Sequence, residues 1–137
     1  MKDLEQKISF KEKDGKLVHM FSILAEEIAD KLENDYVERN GKNIPRKTHT
    51  TQFRQFYEKI LELNDKAQGL SNEEFQLKIL PFVKLLNSKV QYSFTRSHCG
   101  LNFLNLMQVS IKAVNSAEEL QNFKYFLEAI IGYMPKK

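Results

Sequence analysis

The 137-residue chain contains one cysteine, Cys99. That excludes an internal disulfide framework and fits a reducing cytoplasm. No apolar run approaches the roughly 18 residues needed to span a bilayer, so no membrane association is expected. Met1 to Lys7 carry charges where a signal peptide would need its apolar stretch. Glycine is scarce, at five residues. Sustained period-2 stretches are absent too, and no Asn-Gly turn lies between alternating runs. His19, His49 and His98 do not pair at metal-ligand spacing, and there is no Cys-x-x-Cys or His-x-x-x-His, so no metal or cofactor is expected. Cys99 follows His98, but adjacency along a chain does not present thiol to imidazole. With no phosphate-cradling glycine loop and no catalytic constellation, an enzyme has little support.

What is present is charge held in blocks. Net charge is only +3. Residues 39–57 hold Arg39, Lys42, Arg46, Lys47 and Arg54 without one acid, and residues 75–117 hold Lys78, Lys84, Lys89, Arg96 and Lys112, again without one. The segments 1–38 and 58–74 are acidic. Such alternation implies a positive face and a negative face, able to hold a polyanion on one side and a basic neighbour on the other.

The apolar pattern is helical almost throughout, and it predicts an all-α, single-domain five-helix bundle with a charged N-terminal tail. Residues 1–16, rich in Lys, Asp and Glu, form the tail or a helix extension, and residues 17–137 the bundle. A first helix from about Leu17 to Asp35 aligns Leu17, Phe21, Leu24, Ile28 and Leu32 opposite an acidic face of Glu26, Glu27, Asp30 and Glu33. Residues 40–47, with Gly41 and Pro45, read as a loop. The second helix starts near Thr50 or Thr51, either of which can cap it, and buries Phe53, Phe56, Tyr57, Ile60 and Leu61. Ser71 with Glu74 is a capping box opening a third helix, which Pro81 should kink. A fourth runs from about Leu101 to Val114. Ser116 with Glu119 is a second box, opening a fifth through Tyr133. Leu77, Leu80 and Leu85 exceed what a small bundle covers, which predicts self-association.

Arg54 lies near the start of its helix while Glu62 and Asp65 lie near its end, the reverse of what the macrodipole favours. Stability does not account for that order; a bound phosphate does. Free N–H groups, the Thr50 and Thr51 hydroxyls, Arg54, Arg46 and Lys47 can converge on one, with Lys42 close by. A nucleic-acid backbone is the leading ligand, against another anionic partner or a merely solvated loop. A second cluster, Lys89 to His98, interleaves Tyr92 and Phe94 with Lys89 and Arg96, a composition that stacks bases while holding phosphates. Its competing reading is core aromatics beside solvated cations.

The run Thr50-Thr51-Gln52-Phe53-Arg54-Gln55-Phe56-Tyr57 resembles the signature of the Csm small-subunit family of type III-A CRISPR effector complexes. Other landmarks follow in the family's order: Ala25 to Ala29, Ile79 to Leu85, Lys89 to Tyr92, and Phe123 to Tyr133. The likeness spans roughly residues 17–134. It implies a non-catalytic helical subunit, cytoplasmic, active in antiviral defence and without cofactors. Copies would stack along the guide RNA–target RNA duplex beside other effector subunits, contacting backbone without reading sequence. By position, Arg54 matches the signature arginine, with Arg46, Lys47 and Thr50 beside it; Lys89 and Arg96 fall where the pattern is looser. The competing reading is a helical protein–protein adaptor whose basic face docks an acidic partner.

Overall fold

Helical periodicity accounts for most of the computed structural model, which describes residues 4–135. One turn, α1 (Leu4–Lys7), precedes a continuous helical run, α2, over residues 16–33, which widens to π geometry at Met20–Leu24. Strands β1 (Tyr36–Arg39) and β2 (Lys42–Pro45) pair antiparallel. Five helices follow: α3 (Thr50–Ala67), α4 (Asn72–Lys78), α5 (Leu80–Thr95), α6 (Leu101–Ala113) and α7 (Ala117–Tyr133). The last helix, α7, packs against both α2 and α3, while α6 packs along α5. Phe53 and Phe56 of α3 meet Phe103 of α6 at ring-centroid distances of 5.7 and 5.4 Å. Among the described residues no helix is long and apolar enough to cross a membrane.

Two features correct the expected all-α five-helix bundle. The segment read as a loop is a β-hairpin turning on Asn40 and Gly41, at φ 53° and 77°. Left-handed conformations at both central positions are what a type I′ hairpin turn demands, and Asn-Gly supplies them cheaply. The flanking alternation is hidden because only Val37 of the hairpin is buried. Pro81 does not kink a third helix but opens a new one, in the first turn of α5, where its missing N–H costs nothing. Ile79 carries the break between α4 and α5.

The caps also differ in detail. Ser71 and Glu74 form the full reciprocal box, at 3.1 and 3.0 Å. Ser116 accepts from the Glu119 N–H, but the Glu119 carboxylate takes the Asn115 N–H instead of closing the box. Neither Thr50 nor Thr51 caps α3: His49 is its N-cap, with no side-chain hydrogen bond to the helix.

Composition hid three apolar anchors in the charged N-terminal segment. Leu4 and Ile8 are buried, and Phe10 is enclosed against Phe123 and Phe126, at 5.2 and 5.9 Å between ring centroids. Residues 1–3 of the expected tail, and 136–137 of the expected bundle, lie outside the described residues.

Buried α6 is held at both ends by residues distant in sequence. At its N-terminus the Asp35 carboxylate accepts from the Asn102 N–H at 2.7 Å and the Phe103 N–H at 3.1 Å. At its C-terminus the Lys84 ammonium donates to the carbonyls of Ile111 and Val114, at 2.8 and 2.7 Å. Each charge has the sign that the helix dipole favours at that end. Asp35 also accepts from the Thr48 hydroxyl at 2.7 Å and the Tyr36 N–H at 2.9 Å. Asp35→Asn places an amide donor among these donors and should cost about 1–3 kcal/mol in urea unfolding. Gly100→Ala should cost at least as much, because a Cβ there lands on the Asp35 carboxyl group. Wild-type midpoints for both variants would contradict this account.

Candidate nucleic-acid interface

The site is built by the strap that joins β2 to α3. The Arg46 N–H donates to the Asp35 carbonyl at 2.8 Å, and the Thr48 N–H to the Leu32 carbonyl at 3.1 Å. Fully buried Thr48 also accepts from the Gly100 N–H at 3.0 Å, tying the strap to the α5–α6 connection. Burial raises the Asp35 carboxyl above its ordinary value, while its four hydrogen bonds pull against that rise. Strap, helix start and connection are thus fixed about one buried acid.

They enclose a cleft of about 520 Å³. Pro45, Arg46, Lys47 and His49 form one wall, the first turns of α3 (Thr50, Thr51, Gln52, Gln55) the floor, and Ser97 with His98 the other wall. No acid lines it. An α-helix leaves its first N–H groups without intrahelical acceptors, and α3 has neither a side-chain cap nor an acidic first turn. The cleft therefore offers backbone donors, hydroxyls, side-chain amides and a guanidinium, a set suited to an anion.

The sequence-derived candidates divide. Arg46, Lys47 and Thr50 come together in the cleft. Lys47, however, is paired with Glu33 at 2.7 Å. Lys42 stands at the hairpin tip directly opposite Arg39, whose guanidinium donates to the Ser97 hydroxyl at 2.9 Å on the cleft rim. Like charges across a strand pair repel, so this tip too favours a nearby anion. Arg54 is not in the cleft. It lies one turn into α3 and about 120° around the helix from the Gln52–Gln55 side, beside Tyr57. The dipole penalty inferred for it fades at that depth, and Lys66 bridges Glu62 at the far end. Lys89 and Arg96 lie elsewhere, on the outer face of α5. Lys89 borders a groove between α3 and α5, and the Arg96 guanidinium stacks over Tyr92 at 4.8 Å from the ring centroid.

Sequence reasoning missed His49, Gln52, Gln55, Ser97 and His98 as cleft residues. His98 and Ser97 arrive from some 45 residues away; the sequence places them at the end of the second basic cluster, and no local pattern joins them to the start of α3. Among the described residues no group of three or more His, Cys, Asp or Glu could hold a metal ion. Burial pushes the Cys99 thiol up to about 11, leaving it a core side chain rather than a nucleophile.

Comparison with known proteins shows that the family model described as Csm2 Type III-A matches residues 25–134. No curated protein and no solved structure gives a significant match.

Arg54 adjoins a measurable group. The Tyr57 hydroxyl donates to Glu128 at 2.6 Å, and burial together with that carboxylate pushes the phenol up to about 12. A raised acid contributes its stability below the ordinary phenol value and loses it as pH rises through the raised one. Spectrophotometric titration should therefore show a late phenol phase from Tyr57. Tyr57→Phe should remove that phase and Glu128→Gln should bring it down. A single phase unaffected by either substitution would count against the pair.

Proposed function

The chain belongs to the type III-A Csm2 family, and on that premise we propose a non-catalytic small subunit of an RNA-guided effector complex. In this reading several copies stack along the guide RNA–target RNA duplex and grip its backbone without reading sequence. The observation that carries it is the acid-free cleft at the open start of α3. Phosphate oxygens match what the cleft offers: exposed N–H groups, Thr50 and Thr51 hydroxyls, and Arg46. Arg39 and Lys42 extend the positive rim along the hairpin. Arg54 extends it around α3.

Backbone contact fits better than base readout. The cleft lining has no Phe, Tyr or Trp ring on which a base could stack. Nor does it hold a carboxylate pair of the kind that carries metal ions for phosphoryl transfer. A grip of this sort positions a nucleic acid and leaves sequence to base pairing.

RNA retention by the full chain should fall steeply with salt and be alike for unrelated sequences. Arg46→Ala should weaken it, and adding Arg54→Ala should weaken it further. Each substitution should lower the slope of log affinity against log salt by about 1. A double variant that retains RNA like the wild type would remove this site. Retention of one acidic protein in preference to RNA would favour the adaptor.

A further inference from the structure

The cleft holds hydrogen-bonding groups of a kind that a phosphate cannot use. Phosphate oxygens accept, and the free N–H groups of α3, the Arg46 guanidinium and the Thr50 and Thr51 hydroxyls supply donors for them. The Ser97 hydroxyl accepts from Arg39 and so keeps its own proton to donate. Gln52 and Gln55, three residues apart on one face of α3, are different. Each amide NH2 can join those donors, but each amide carbonyl only accepts, and a phosphate has nothing to give it.

Elsewhere the fold uses its glutamines internally. The amides of Gln68, Gln76, Gln91, Gln108 and Gln121 each donate to a partner within the chain. Among the described residues the side chains of Gln52 and Gln55 have no such partner, although Gln52 is half-buried. Donors for their carbonyls therefore come from whatever fills the cleft. The groove between α3 and α5 does not compete for such a ligand. It is apolar at its centre, at Phe82 and Leu85, and its Lys66 and Lys78 already bridge Glu62 and Glu74.

The backbone of a nucleic acid carries one kind of donor along its length, the ribose 2′-hydroxyl, and only RNA has it. An A-form duplex displays these hydroxyls on its wide, shallow minor groove, within reach of a protein that reads no base. Resting on the backbone grip of the reading above, we propose that Gln52 and Gln55 make the cleft selective for ribose over deoxyribose. Their carbonyls accept from 2′-hydroxyls, while Arg46 and the helix start hold the adjacent phosphates. Removing the hydroxyl leaves both carbonyls facing the ligand without a donor, and a site built around a hydroxyl rejects the analogue that lacks it. The selectivity is for the sugar and is blind to sequence.

Retention of three duplexes of one sequence tests this on the full chain: RNA, the same RNA with 2′-fluoro in place of every 2′-hydroxyl, and DNA. The fluoro duplex keeps the A-form and the phosphates and loses the donor. Wild type should hold RNA roughly fivefold tighter than the fluoro duplex, and DNA no tighter than the fluoro form. Gln52→Leu with Gln55→Leu should abolish that ratio. The variant should keep the wild-type slope of log affinity against log salt, because no charge is removed. Equal retention of RNA and fluoro duplex by wild type overturns the inference and leaves the backbone grip standing. So does a ratio that survives in the variant, since the two amides then play no part in reading the sugar. Retention of none of the three duplexes, even at low salt, removes the grip and the inference with it.

Discussion

The buried carboxylate of Asp35 is the constraint on which the rest of the structure depends. An ionised group removed from water must be surrounded by donors, and this one has four. Those donors come from three places: the start of the hairpin, the strap before α3, and the first turn of α6. Satisfying one acid therefore fixes where three segments cross. The requirement reaches position 100, where a side chain would collide with the carboxyl group. The same acid accounts for the cleft, because the strap carrying Arg46 and the connection carrying Ser97 and His98 are its two walls.

Helix ends show how the molecule distributes charge. An acid serves the N-terminus of α4 through Glu74, of α7 through Glu119, and of α6 through Asp35. Lys84 serves the C-terminus of α6, and burial pulls its ammonium below the ordinary value. These ends, whether buried as at α6 or exposed as at the start of α4, receive counter-charges from the chain itself. The start of α3 faces solvent and receives none. Cations gather there in place of acids, an arrangement that favours an anion.

How much of this was legible depended on how local each signal was. The Thr50–Tyr57 run, the Ser71–Glu74 box and the apolar stripes are local patterns, and they located the helices and half of the cleft. The hairpin was locally encoded too, in Asn40-Gly41, but its strands are too exposed to show alternation. Asp35 lies in a stretch of acids and looks like one more solvated carboxylate. Its partners at 102 and 103 are 67 and 68 residues away. Charge counting failed for a related reason. Lys47 and Lys84 belong to acid-free blocks, yet each is engaged by an acid or by carbonyls from another part of the fold. A block without acids in sequence is not a block without partners in space.

That correction bears on how the two basic segments divide. Once Lys84, Lys78 and Arg96 are assigned to α6, Glu74 and Tyr92, the second segment has little free charge left along α5 beyond Lys89. An apolar stripe stands where a polyanion track would need cations. The first segment keeps Arg39, Lys42, Arg46 and Arg54 without an acidic partner among the described residues. Cleft and groove sit on one side of α3, separated by about seven to ten residues, which at the helical rise is roughly 10–15 Å. An anion held in the cleft would therefore leave the apolar stripe of the groove uncovered beside it.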